Sequence, residues 1–281
     1  MTPIRTGLAV LLLAAGSLSG ARGPAPGDAI PQRWQRAGTG LDRLTVDISG
    51  GGEGWRTEIV ALRIDPRVLR FILRRRVDDG AAAWTVDEAP RAAVVALNAG
   101  QFTGATPWGW VVTEGREVHS PGRGPLAVAM AWDADGRMHW LDQDEIEPAR
   151  KRHDVVEAFQ SYPALLDRNG DAPLALSDER LGVDVTHRDG RLALGTLHDG
   201  RVVIALTRFH GLGPLSPPVP LGLTLAEMAD VMHGLGCRRA VALDGGVSAQ
   251  LMVHESGDRV VWRGWRKVPL GLVAVPVREE E

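Results

Sequence analysis

The sequence predicts an α+β fold, a single domain with a mixed, largely antiparallel sheet flanked by helices. Three observations lead there: short apolar or alternating runs divided by Gly and Asp turns, two legible hairpin turns, and a capped amphipathic helix that leads directly into an apolar strand.

In chain order, strands are expected at Ile59 to Ile64 and Arg70 to Arg74, followed by a short helix over Trp84 to Ala89 that Pro90 would end. Further strands are expected at Ala93 to Leu97, Leu126 to Trp132, Ala164 to Leu166, Leu192 to Leu197, Val202 to Leu206, Ala240 to Leu243 and Leu270 to Val275. Asp133-Ala134-Asp135-Gly136 and His198-Asp199-Gly200 supply the hairpin turns, because Asp-Gly tolerates the positive φ that tight turns demand. The best helix runs from Thr224 to about Leu235. Thr224 and Glu227 form a capping box, Leu225, Met228, Ala229, Met232 and Leu235 share one face, and Gly236 is the stop. That apolar stripe is core.

Composition bounds the function. Lys+Arg 32 against Asp+Glu 35 leaves a net charge of -3, so no general electrostatic drive toward nucleic acid or anionic lipid exists. Any anion must be held locally. One cysteine, Cys237, permits neither an intramolecular disulfide nor a thiolate cluster. At the N-terminus, Arg5, the apolar run Gly7 to Leu18 and the small residues Ser19-Gly20-Ala21 form a secretory signal pattern. The expected organisation is therefore a signal peptide over 1–21, a Gly/Pro/Arg-rich spacer over 22–40 and the folded domain over 41–278. It places the protein outside the cell or in the envelope, with no integral membrane span once the signal is cleaved.

Several short constellations could carry chemistry. Asp244-Gly245-Gly246-Val247-Ser248 ends a buried strand, where a carboxylate is rigidly held and glycines let a ligand approach the backbone; an ordinary Asp turn has the same pattern. Ser248 is not in a nucleophile elbow, because Gln250 stands where the motif requires glycine. Asn98-Ala99-Gly100-Gln101 follows another strand, so Asn98 could bind a sugar hydroxyl or form a turn. Trp108 and Trp110 could offer a face to a sugar or lie in the core. Gln160 and Ser161 could line a pocket or finish a loop. Arg191, just before a strand, could present its planar fork to a phosphate or be a solvated edge charge. The eight histidines show no zinc spacing, and there is no dinucleotide fingerprint or P-loop, so no cofactor is expected and a divalent cation is left open.

Taken in order, Leu97-Asn98-Ala99-Gly100-Gln101-Phe102, Pro107-Trp108-Gly109-Trp110-Val111-Val112, Gln160-Ser161-Tyr162-Pro163-Ala164-Leu165, Arg191-Leu192-Ala193-Leu194-Gly195 and Leu243-Asp244-Gly245-Gly246-Val247-Ser248 resemble the phosphodiester glycosidase family over about residues 90 to 275. The resemblance implies hydrolysis of a sugar-1-phosphodiester at the anomeric carbon, with a phosphorylated glycan as partner, in a family that includes exported proteins linked to exopolysaccharide or cell-wall glycans. It implies Arg191 on the phosphate, Asp244 beside the oxocarbenium-like centre or activating water, Asn98, Gln160 and Ser161 orienting the sugar, and the Gly245 and Gly246 amides holding an oxygen. Gly100 and Ser248 complete the expected site. Ala99, Gln101 and Tyr162 depart from the family pattern and bear on which substrate fits. The alternatives are a non-catalytic glycan-binding or exopolysaccharide-assembly protein of the same fold, and a phosphodiesterase cutting on the phosphorus side.

Overall fold

The computed structural model describes residues 27, 30–48, 57–177, 185–209 and 222–277. The expected signal peptide lies outside the described residues. The fold is mostly β rather than α+β: among the described residues strand accounts for 48% and helix for 14%, and only two α-helices occur. Nor is there one mixed sheet. Three larger sheets form, and every strand pair in them is antiparallel.

The first sheet has seven strands in the order Gln35–Gly38, Leu41–Ile48, Thr57–Ile64, Val202–Phe209, Leu192–Thr196, Arg239–Ala242 and Ala164–Leu166. The second orders Arg116–His119, Val111–Thr113, Val155–Ser161, Val128–Asp133 and Met138–Asp142. The third orders Asp258–Trp262, Leu251–Glu255, Val95–Asn98, Leu270–Pro276 and Leu69–Arg75. Both expected hairpins are present, with Gly136 at φ 76° and Gly200 at φ 84°. Ahead of Leu41, Gln35–Gly38 already adds an edge strand, and the Gln32 side chain donates to the Gly234 carbonyl at 2.7 Å.

One apolar cluster joins the three sheets. Leu194, Ile204 and Leu206 from the first meet Val111, Met130 and Phe159 from the second and Leu97, Leu251 and Leu272 from the third. Alternate residues of the same strands face outward and are buried again. Ala193, Val203 and Ala205 pack under α2 (Leu225–Gly234), through Met228, Ala229 and Met232. Ala129, Ala131 and Ala158 pack under α1 (Gln143–Arg152), through Ile146 and Ala149.

The third sheet explains why the expected class was wrong. Its outer face is covered by a loop, not a helix: Trp84, Val86 and Ala89 pack on Ala96, Met252 and Val273. The expected helix over Trp84 to Ala89 is only a 3-10 turn, Val86–Glu88, too short to nucleate against Pro90. Trp84 instead lies so close to the sheet that a Cβ on Gly271 would stand 2.2 Å from its ring. A strand buried on both faces shows an unbroken apolar run whether helix, sheet or loop covers it, so the run itself does not disclose the cover.

Candidate active site

The site forms where the first and third sheets meet. Beyond Arg239–Ala242 the chain leaves the first sheet, and the Asp244 amide donates to the Gly100 carbonyl at 3.0 Å. Asn98, at the end of Val95–Asn98 and wholly buried, holds the same turn from the other side. Its Nδ2 donates to the Asp244 carbonyl at 2.8 Å and its Oδ1 accepts the Gln250 amide at 3.0 Å. Both ends of the Asn98 amide are thus used to place the backbone of Asp244.

The turn presses against the segment that leads into Leu192–Thr196. The Gly246 amide donates to the Gly190 carbonyl at 2.7 Å. Gly246 has φ 57°, and a Cβ there would stand 2.5 Å from Asp189 Oδ2, so only glycine lets the Asp189 carboxylate lie against the turn. Asp189 accepts the Gly190 amide at 2.8 Å, and His187 Nε2 stands 3.7 Å from its Oδ2.

Two carboxylates therefore share a partly enclosed space. Burial, reinforced by the negative charge of Asp189, pushes the Asp244 carboxyl up to about 6, while a Ser248 hydrogen bond and the positive charge of Arg266 oppose the rise. Burial also raises Asp189, against the pull of Arg191, the Gly190 amide and His187. The Tyr162 hydroxyl is raised by burial and by the negative charge of Asp244. The Tyr162 ring centroid lies 4.3 Å from that of Trp108.

The expected residues divide into two groups. Asp244, Gly245, Gly246, Ser248, Asn98 and Gly100 come together at one turn, and Arg191 joins them through Asp189. Gln160 and Ser161 are buried behind it. Gln160 Oε1 accepts the Trp110 and Gly122 amides, both at 2.9 Å, and its Nε2 donates to the Gly122 carbonyl at 3.1 Å. Ser161 Oγ donates to the Ala242 carbonyl at 2.6 Å. Arg191 spends Nε on the Leu223 carbonyl at 2.7 Å and Nη2 on the His187 carbonyl. Sequence reasoning passed over Asp189, hidden in an Asp-Gly pair that resembles any turn, and Arg266, which lies in a loop without periodicity. Among the described residues no three His, Cys, Asp or Glu side chains converge as a metal-ligand set.

The family model for phosphodiester glycosidases matches residues 91–275, which contain every site residue named above. The chain belongs to the phosphodiester glycosidase family. Among solved structures it is similar to the zebrafish N-acetylglucosamine-1-phosphodiester alpha-N-acetylglucosaminidase catalytic domain auto-inhibited by its pro-peptide. The two share 18% identity over 90% of this chain and 92% of that one, with a TM-score of 0.60. A hypothetical protein from Synechocystis is 17% identical over 84% of this chain and 62% of its own, with a TM-score of 0.55. A putative exported protein from Burkholderia pseudomallei K96243 is 17% identical over 78% of this chain and 74% of its own, with a TM-score of 0.54. At these identities the likeness to these solved structures is one of fold. No curated protein matches the chain.

Proposed function

We propose that the protein is an exported glycosidase that hydrolyses a sugar-1-phosphodiester at the anomeric carbon. The observation that carries this reading is the Asp244 carboxylate, held at a strand end by Asn98 and Gly100, backed by Asp189, and poised to ionise near pH 6 in a member of a phosphodiester glycosidase family. Water attacks the anomeric carbon as its bond to the phosphate oxygen breaks. Asp244 accepts the proton of that water or stabilises the oxocarbenium-like centre, and the bonding electron pair leaves on the phosphomonoester. Because a phosphate is a good leaving group, no strong general acid is required.

Asn98, Gln160 and Ser161 act from behind the site by holding backbone rather than by touching the sugar. Trp108 and Tyr162 offer the aromatic side against which a sugar ring packs. Export is supported by the N-terminal signal pattern and by the putative exported protein among the similar structures. Among the described residues no helix is long and apolar enough to cross a membrane. A phosphorylated glycan outside the cell is the substrate class that fits.

The test is Asp244→Asn assayed on a sugar-1-phosphodiester in heavy-oxygen water. Turnover should collapse in the variant, and wild-type product should carry the label in the sugar. Full turnover by a folded variant, or label in the phosphate, would overturn the proposal.

A further inference from the structure

We infer that the phosphate of the substrate is held by Arg266, on the loop after Asp258–Trp262, and not by Arg191 alone. This inference rests on the hydrolytic reading above. Arg191 is poorly placed to be the only phosphate ligand, because Nε and Nη2 donate to the Leu223 and His187 carbonyls and its charge faces Asp189. Its fork is committed to joining the 187–191 segment to Leu223.

Arg266 differs on each count. It is exposed, and among the described residues its guanidinium takes part in no salt bridge. It lies over the Phe102 ring, 5.4 Å from the centroid, which aims the guanidinium without consuming its hydrogen-bond donors. Phe102 follows closely on Gly100, whose carbonyl holds the Asp244 amide.

The loop is also anchored directly to the catalytic turn. The Trp265 and Arg266 amides both donate to the Val247 carbonyl, at 2.7 and 3.0 Å, and a Cβ on Gly264 would meet the Ser248, Val247 and Ala249 carbonyls at 3.0–3.2 Å. The guanidinium is therefore carried on backbone fastened to residues 247–249, next to Asp244. Its charge already acts on Asp244. The preceding residue, Trp265, is 64% exposed. The Arg266 guanidinium, aimed by Phe102, forms an anion subsite beside the carboxylate pair, suited to a phosphodiester whose sugar enters toward Asp244 and whose second substituent leaves toward solvent.

The experiment compares wild type, Arg266→Ala and Arg266→Lys for kinetics on a sugar-1-phosphate methyl diester, and for binding of inorganic phosphate by calorimetric titration. Losing a charge-assisted contact should raise KM and the phosphate dissociation constant on the order of 10- to 100-fold in Arg266→Ala. Arg266→Lys should recover part of each, and the melting temperature should hold because the side chain is exposed. Unchanged KM and unchanged phosphate binding in folded Arg266→Ala would overturn the inference, as would absence of phosphate binding by wild type. Should wild type bind phosphate through Arg266 yet hydrolyse no sugar-1-phosphodiester, the hydrolytic proposal fails while the assignment of Arg266 to an anion stands.

Discussion

Glu157 lies in the middle of Val155–Ser161, only 5% exposed, with its carboxylate between two sheets. One oxygen accepts the Leu73 amide of the third sheet's edge strand at 3.2 Å, and the other faces the Glu114 amide at 3.5 Å. Burial pushes the carboxyl from its ordinary 4.5 to about 7, although both amides and Arg74 oppose the rise and Glu114 adds to it. A carboxyl that holds its proton more tightly folded than unfolded stabilises the fold fully below pH 4.5, and loses that contribution as pH rises through about 7. At about 1.4 kcal/mol per pH unit, the loss between pH 5 and 8 is roughly 2–3 kcal/mol. Glu157→Gln removes the titration while keeping the shape. Urea unfolding of both proteins from pH 5 to pH 8 should show their stability difference changing by that amount, with wild type losing more. A constant offset between the two curves would refute the reasoning, whatever its size, because the cost of the altered hydrogen bonds does not depend on pH.

Asn98→Ala should cost roughly 2–4 kcal/mol, since it leaves the Asp244 carbonyl and the Gln250 amide without their partner; urea unfolding reads it, and a loss under about 1 kcal/mol would show that the clamp is not needed. For Asp244, whose carboxyl titrates near 6, kcat/KM should fall on the acid side of that pH if the ionised form does the work. In Asp189→Asn the same acid limb should move to lower pH, because the neighbouring negative charge that raises Asp244 is gone. A pH–rate profile that keeps its limb in place would separate Asp189 from the site.

Much of the strand content was legible along the chain. Val202 to Leu206 announces itself by β-branched residues between polar turns, and the observed strand, Val202–Phe209, extends it. The Asp-Gly turns declared two hairpins, and the capping box at Thr224 and Glu227 declared α2, with Thr224 Oγ1 accepting the Glu227 amide at 3.2 Å. By contrast α1 leaves little signal along the chain, because its sequence is charged with Pro148 inside it and only Ile146 and Ala149 are buried. Asp244 was legible for a similar local reason: carboxylate and glycines are adjacent in sequence. Asp189 and Arg266 were not, since nothing near either residue encodes the close approach of the segments that bring them to Asp244.

The sequence by itself determined part of the strand set, including Thr57–Ile64, Val202–Phe209 and Leu270–Pro276, where two hairpins turn, where the capped helix begins, and that a carboxylate followed by two glycines ends a buried strand. Those are properties of neighbours along the chain, set by side-chain periodicity and backbone freedom. Only the tertiary structure decided that the strands divide among three sheets around one core, that a loop with Trp84 covers the third, and that Gln160 and Ser161 turn inward while Asp189 and Arg266 come to the turn at Asp244–Ser248. The reason is that burial on both faces looks the same in sequence whatever provides the cover, and that a charged residue acquires its partner only when distant segments pack.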